Sequence, residues 1–248
     1  MMDDKSPVLE IAANSLASAL AAQEGGANRI ELCAALEVGG LTPSYAQIAL
    51  TRERVRIPVY VLIRPRTGDF VYGDCEFETM QRDIETCVSL GCEGVVLGAL
   101  DENGAVDANR CRALIAAAGG LGVTFHRAFD MSRDPQTALE DIIALHCERV
   151  LTSGAQADAP AGAALIRMLV EKAAGRISVM PGAGVSAQNI ASLRALTGAR
   201  EFHASAKREL PSRMRAGNDL SGMTAGEVRS EAEQVRALVA ALNRVAGS

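Results

Sequence analysis

The chain has 248 residues and a mass of 26.0 kDa, and 48% of its residues are hydrophobic, 22% charged and 3% aromatic. This amount of apolar surface excludes a disordered chain, because its burial offsets the entropy of ordering. The formal net charge is −5 at pH 7 and Lys and Arg are dispersed, which argues against a nucleic-acid partner.

Short apolar segments alternate with helical patterns along the whole sequence. Their first residues are separated by roughly thirty positions, the length of a strand, a helix and two short loops. We predict strands at Val8–Ala12, Arg29–Cys33, Val59–Arg64, Gly94–Ala99, Gly122–His126, Arg149–Ser153, Ile177–Pro181 and Arg200–Ala204.

Helical patterns fill the intervals between these strands. Ser15–Gln23 is rich in Ala and Leu and precedes two glycines, which favour the end of a helix. Glu76–Leu90 carries apolar residues at helical spacing. Glu227–Val245 places Val and Leu residues on one face, so the sequence predicts a C-terminal helix there.

Repeated strand–helix units of this kind form either an open doubly wound sheet or a closed barrel. No GxGxxG motif follows the first strand, where a dinucleotide-binding sheet needs it. The units are even in size and no linker divides the chain, so we predict an α/β fold with one domain over residues 1–248, a (β/α)₈ TIM-like barrel. Residues 205–224 are predicted to form a long loop after the eighth strand.

The sequence also predicts the cellular compartment. No stretch reaches the roughly 18 to 20 consecutive apolar residues of a membrane helix, and the N-terminal apolar run is too short for a signal peptide. The six cysteines form no CxxC pair, so reduced and mostly buried thiols are expected, with metal binding as the alternative. We therefore expect a cytoplasmic protein without a membrane partner.

Polar residues recur where the predicted strands end. In a barrel these ends meet at one rim, and charged residues are costly to bury there unless they are paired or solvated. Their presence on several strands therefore favours a functional pocket. The candidates are Glu10, Glu31, Arg64, Arg66, His126, Arg127, Asp130, Ser153, His203 and Ser205.

These residue types suggest acid–base chemistry on an anionic ligand. The carboxyl and imidazole groups of Glu10, Glu31, His126, Asp130 and His203 can act as acid and base. Ligand binding is assigned to the forked donors of the three arginines, which suit phosphate or carboxylate, and to the hydroxyls of the two serines. Gly182 and Gly184 precede a predicted helix and can present N–H groups to an anion.

Each candidate also has a structural explanation. Glu10 paired with Arg64 or Arg127 can be an ion pair that closes the mouth of the barrel. His126 can be a hydrogen-bonded core histidine, and Arg66 can be a solvated loop residue. The two glycines can form a plain turn between strand and helix. Taken together, however, the candidates favour a pocket.

Several motifs resemble those of the CutC copper homeostasis family, in the same order from Glu10 to Asn218. They are ELCAALEVGGLTPS (31–44), IRPRTGDFVYGD (63–74), TFHRAFD (124–130), RVLTSG (149–154), GAGV (182–185) and EFHASA (201–206). The resemblance implies a cytosolic TIM-like barrel with a role in copper homeostasis, and the same strand-end polar residues. Thr67 and Gly73 depart from the family pattern, in which Gly and Ser stand at these positions.

The positions of the cysteines indicate where copper could bind, because Cu(I) prefers thiolate and thioether ligands. Cys33 lies at a predicted strand end and Cys75 opens the helix after the neighbouring strand, so these two are the candidate metal ligands. Met180 is a candidate third soft ligand. An arginine-lined mouth, by contrast, suits an anion better than a cation.

Two functions therefore stay open. The resemblance implies a copper homeostasis protein that binds Cu(I). The residue chemistry favours an enzyme acting on a small anionic metabolite that bears a phosphate or a carboxylate, with no organic cofactor indicated. A scaffold protein that retained the barrel is a third reading. Apolar faces on the outer helices predict a homo-oligomer.

Overall fold

The computed structural model of the chain describes residues 6–214 and 226–244. Eight parallel strands form one sheet. They are β1 (Val8–Ala13), β2 (Arg29–Leu32), β3 (Val59–Leu62), β4 (Gly94–Leu97), β5 (Gly122–Phe125), β6 (Arg149–Thr152), β7 (Ser178–Pro181) and β8 (Glu201–Ala204).

An α-helix follows each of β1 to β7 after a loop, whereas the helix after β8 comes only after a further pair of strands. Short 3₁₀ helices at Leu36–Val38 and Arg127–Met131 precede the second and fifth. The α-helices are α1 (Leu16–Glu24), α2 (Tyr45–Arg54), α3 (Asp74–Ser89), α4 (Ala108–Ala118), α5 (Pro135–Ala144), α6 (Ala163–Ala173), α7 (Ile190–Thr197) and α8 (Ala232–Leu242).

The strands are hydrogen-bonded in the order β7-β6-β5-β4-β3-β2-β1-β8. The two strands at the ends of this order, β7 and β8, also lie in contact, so the sheet is a nearly closed barrel. The predicted TIM-like barrel is confirmed, and the predicted strands match the observed ones to within two residues. The single domain over residues 1–248 stays a prediction.

Strand alternation divides the side chains between two layers. One set, including Leu9, Ile11 and Ile30, packs against the helices in the main apolar core. The other set fills the inside of the barrel and is largely polar. Buried members of this inner set are Glu10, Arg29, Glu31, Thr124, Arg149 and Met180.

The predicted loop over 205–224 begins with a strand instead. β9 (Lys207–Leu210) pairs in antiparallel fashion with β10 (Glu227–Ser230). The latter residues were predicted as the start of the C-terminal helix, which begins only at Ala232. Hydrogen bonds explain the difference, because the Ser230 hydroxyl donates to the backbone of the first and eighth strand regions. Residues 215–224 of the predicted loop, and the end of the predicted helix, Val245, lie outside the described residues.

Within residues 6–214 and 226–244, no helix is long and apolar enough to cross a membrane.

Candidate functional site

A cavity of about 720 Å³ opens at the carboxyl ends of the strands, and we call it the mouth cavity. Charged side chains line it together with apolar ones such as Leu62, Phe70 and Leu151. Its lining includes the predicted site residues Glu31, Arg64, His126, Arg127, Asp130, Gly184, His203 and Ser205. The remaining predicted residues are described but lie outside the lining: Glu10, Cys33, Arg66, Cys75, Ser153 and Gly182.

Glu10, Glu31 and His203 meet at the floor of the mouth cavity. The register brings them together, because Glu10 on β1 pairs with His203 on β8. His203 Nδ1 lies 2.7 Å from Glu10 Oε1. His203 Nε2 lies 3.7 Å from Glu31 Oε2. One ligand atom of each residue lies within 4.8 Å of the others, which makes this a candidate metal-binding group.

Glu10 lies deeper than its predicted position at a strand end. It is the third residue of β1 and is fully buried. Its partner is Arg29, whose Nε donates to Glu10 Oε2, and not Arg64 or Arg127 as considered from the sequence. Burial pushes the pKa of Glu10 upward, but the charges of Arg29 and His203 outweigh it and hold the pKa well below its usual range. Glu10 is therefore a carboxylate that orients His203.

Glu31 and His203, which face each other at the floor, both have raised pKa values. Burial, with a smaller contribution from the charge of Glu10, raises the pKa of Glu31 to about 7. Burial lowers the pKa of His203, but Glu31 and Glu10 outweigh it and the net shift is upward. Near neutral pH this floor therefore holds an ionisable acid beside an imidazole whose Nδ1 is fixed by Glu10.

Beneath the floor, the inside of the barrel contains a network of ion pairs. Arg29 donates to Glu201 Oε2 at 2.7 Å, and Arg149 Nε lies 3.0 Å from the same oxygen. Both guanidinium groups lie over the ring of Tyr60, at 5.2 Å and 4.8 Å from its centroid. These charged residues were not predicted, because they stand at the beginnings of strands and not at the strand ends where a barrel places its site. Alternation was the available signal, since Arg29 and Glu31 share one face.

Arg64 is buried in the wall of the mouth cavity without a carboxylate partner among the residues described. Its guanidinium donates to the backbone oxygens of Val38 at 3.0 Å, Gly40 at 2.9 Å and Gly68 at 3.2 Å. Its Nε is buried and has no hydrogen-bond partner within the described structure. Three carbonyls therefore fix the charge in place, and one buried N–H is left without a partner among the described residues.

His126 differs from the fully hydrogen-bonded core histidine considered above. Its Nδ1 accepts from the backbone N–H of Ala128 at 3.2 Å, and its buried Nε2 has no partner in the described part of the chain. Burial, assisted by the charge of Arg64, lowers the pKa of His126 to about 3. The imidazole is therefore neutral at physiological pH, and because Nδ1 is an acceptor, Nε2 carries the proton.

Asp130, predicted as an acid or base, already accepts several hydrogen bonds. Donors to its carboxylate are Thr152 Oγ1 at 2.5 Å, Arg127 Nε at 2.8 Å, and the backbone N–H groups of Ser153 at 3.0 Å and Ala155 at 3.1 Å. This arrangement joins the 3₁₀ helix after β5 to the end of β6. Arg127 and Ser153 belong to the same cluster, through a bond of 2.9 Å between them. The hydrogen bonds among Arg127, Asp130 and Ser153 fix the position of this part of the cavity rim.

Arg66 points away from the lining and holds its own loop together. It forms an ion pair with Asp69 at 3.0 Å and another with Glu76, and it donates to the Val71 carbonyl at 2.8 Å. Its guanidinium also lies over the Tyr72 ring, 5.2 Å from the centroid. Its side chain is 34% exposed, which fits the solvated loop residue considered from the sequence, and its donors are engaged within its own loop.

The glycines after β7 have packing roles. A Cβ on Gly182 would lie 2.5 Å from Leu151 and 3.3 Å from His203, so glycine lets the backbone approach the floor. Gly184 has φ +70°, which favours glycine. The N–H of Ser186 donates to Asn189 Oδ1 at 2.9 Å, so this turn engages one of the groups expected to bind an anion.

The soft copper ligands lie in different environments. Cys33 is fully buried beside Tyr60 and Leu62, and burial raises the pKa of its thiol. Cys75 is exposed in the first turn of α3. The sulfur of Met180 accepts from Arg29 at 3.5 Å beneath the floor. Cys33 is therefore buried and Cys75 solvent-exposed, and the candidate metal-binding group found among the described residues includes neither of them.

Comparison with known proteins identifies relatives over nearly the whole chain. Residues 7–208 match the model of the CutC family. A family protein CutC of Xylella fastidiosa is 59% identical over 237 residues, covering 95% of this chain and 89% of the relative. One of Chromobacterium violaceum is 53% identical over 243 residues, covering 96% and 98%.

The solved structures agree with this result. A copper homeostasis protein CutC of Streptococcus agalactiae matches with a TM-score of 0.76 and 35% identity, covering 79% of this chain and 97% of that one. A thiamine phosphate pyrophosphorylase of Pyrococcus furiosus matches with a TM-score of 0.61 at 14% identity, covering 97% of each chain. The second likeness shows the barrel fold alone.

Proposed function

The chain belongs to the CutC family, and from this membership we propose that it serves copper homeostasis, the role for which its solved relative is named. We place copper binding at the floor of the mouth cavity. The observation that carries this placement is the convergence of Glu10, Glu31 and His203, with ligand atoms within 4.8 Å of one another.

The available donors define how copper would be held. His203 Nε2 and the carboxylate of Glu31 face each other and are the proposed ligands. Glu10 fixes the imidazole through Nδ1, the outer support that metal-binding histidines commonly have. Imidazole and carboxylate suit Cu(II), whereas Cu(I) prefers sulfur. The proposed copper site therefore consists of nitrogen and oxygen donors, and not of the thiols of Cys33 and Cys75.

We also propose a cytoplasmic location. All six cysteines are free thiols, which fits a reducing compartment. The homo-oligomer expected from the sequence stays a prediction.

The test is a titration with Cu(II) against a competing chelator, measured by isothermal calorimetry. Glu31→Gln and His203→Gln each remove a proposed ligand and should weaken binding at least about tenfold, since a lost donor removes one metal bond. The matched control is Glu78→Gln, an exposed glutamate on α3, which should bind like wild type.

The double variant Cys33→Ser/Cys75→Ser separates this site from the thiolate site, and we run it with both Cu(II) and Cu(I). Unchanged Cu(II) affinity in this variant, together with loss in the floor variants, supports the proposal. Full Cu(II) binding by both Glu31→Gln and His203→Gln refutes it. Loss of Cu(I) binding in the cysteine variant alone restores the thiolate hypothesis.

A second candidate is an enzyme on a small anionic metabolite. One observation favours it, the ionisable Glu31 beside an imidazole oriented by a buried carboxylate, which is an arrangement suited to acid–base catalysis. A thermal-shift screen of metabolites tests this candidate. A compound that stabilises the wild type and is converted by it, but not by Glu31→Gln, would establish an enzyme.

A further inference from the structure

We propose that Arg64 and His126 form an oxyanion-binding site in the wall of the mouth cavity. The site takes the carboxylate or phosphate group of a small ligand. This inference is independent of copper, because neither residue is a proposed copper ligand and the site uses N–H donors only.

The first step is the uncompensated charge of Arg64. Only 8% of this residue is exposed, and its described partners are three backbone carbonyls and no carboxylate. A buried charge is costly unless it is paired, so a guanidinium in this position favours an anion beside it. The unpartnered Nε offers the donor for that anion.

The second step is a neutral donor in the same cavity. His126 is 4% exposed, and its Nε2–H is unpartnered within the described structure. Its Nδ1 cannot bind the ligand because it accepts from Ala128. A buried N–H without a partner loses its bond to water, and an oxyanion restores that bond.

The third step is the environment that these two donors share. The ring of Phe70 contacts both, with its centroid 5.2 Å from Arg64 Cζ and 4.9 Å from the His126 ring. This apolar surface excludes water and strengthens hydrogen bonds to a charged ligand. Of the acids in the lining, Asp130 is engaged by its own donors, and Glu31 lies at the floor with its carboxylate 3.7 Å from His203 Nε2.

The rim of the cavity adds a further positive charge. Lys207 on β9 lines the opening and forms no ion pair with any described acid. Arg127, also in the lining, is paired with Asp130 at 2.8 Å. Of the three Lys and Arg side chains in the described lining, Arg64 and Lys207 therefore have no carboxylate partner among the described residues, and their charge concentrates negative ligands at the mouth.

The experiment measures binding of two probes, inorganic phosphate and acetate, to the metal-free full chain. Calorimetry is run at constant ionic strength with chloride as the reference anion. The two probes distinguish a phosphate ligand from a carboxylate ligand. We expect saturable binding of at least one. Arg64→Gln should weaken it about ten- to one-hundredfold, as expected for hydrogen bonds to a charged group.

A second variant and a control keep the result interpretable. His126→Phe keeps a ring against Phe70 but removes the donor, and should weaken binding several-fold. If Arg64→Gln does not fold, the affinity of His126→Phe alone tests the oxyanion-binding site. The control, Arg167→Gln, removes an exposed charge on α6 and should leave affinity within about twofold. Failure of wild type to bind either probe, or full binding by Arg64→Gln and His126→Phe, overturns the site.

Discussion

Arg29 supports the floor of the mouth cavity, and replacing it tests the ion-pair network. The side chain of Arg29 is 8% exposed and that of its partner Glu10 is 0% exposed. Arg29→Met keeps the apolar length of the side chain but leaves Glu10 buried without its cation. Breaking a buried pair from one side typically costs about 3–5 kcal/mol, because a charge stays buried without compensation.

The expected effect is large enough for routine unfolding measurements. In a chain of this size, about 1 kcal/mol lowers Tm by about 2–4 °C, so the variant should melt about 6–20 °C below wild type. Guanidinium denaturation followed by circular dichroism gives the free energy of unfolding. The control is Arg82→Met, where an exposed pair with Glu78 is lost at a cost of roughly 0.5 kcal/mol.

The double variant Arg29→Met/Glu10→Gln identifies the cause. Removing the buried negative charge should recover part of the lost stability, so the two changes should be less than additive. Two results would refute the reasoning: a loss in Arg29→Met no larger than in the Arg82→Met control, or no recovery in the double variant.

Two further predictions concern His126 and the cysteines. Because the folded pKa of His126 is about 3, below its ordinary 6.5, its contribution is present above pH 6.5 and lost as pH falls toward 3. Wild type should therefore lose about 2 kcal/mol more than His126→Phe between pH 7.5 and pH 5, measured by denaturation without carboxylate or phosphate buffers. The exposed Cys75 should react with a thiol reagent in the native chain, whereas the five buried cysteines should react only after unfolding.

Each of these two predictions has a clear contrary outcome. An equal pH dependence of wild type and His126→Phe would mean that the imidazole is protonated in the fold or already solvated. For the cysteines, Cys75→Ser is the control and should abolish the fast native reaction. Fast labelling that persists in this variant would show that a second thiol is accessible.

The fold followed from the sequence because its signals were local and repeated. The eight strands of the barrel were predictable from apolar segments at regular intervals, and their observed bounds differ by at most two residues. The pairing of Lys207–Leu210 with Glu227–Ser230 was not predictable, because it depends on a partner separated by a long segment. Apolar residues in Glu227–Val245 suit either a strand or a helix over so short a length.

The candidate site was predictable only in outline. Strand ends identified Glu31, Arg64, His126 and His203, which all line the mouth cavity. The partners of these residues were not predictable, because hydrogen bonding depends on loops. Three backbone carbonyls hold Arg64. Every residue has a backbone carbonyl, so the sequence does not indicate which of them will accept a hydrogen bond.

The ion pairs under His203 restrict how protons reach the floor of the barrel. Arginine releases no proton at physiological pH, so the stacked guanidinium groups of Arg29 and Arg149 offer no relay toward the opposite end. Hydrogen ions gained or lost by His203 and Glu31 must then travel by the same opening that admits a ligand. A molecule bound in that opening therefore also prevents His203 and Glu31 from gaining or losing a proton.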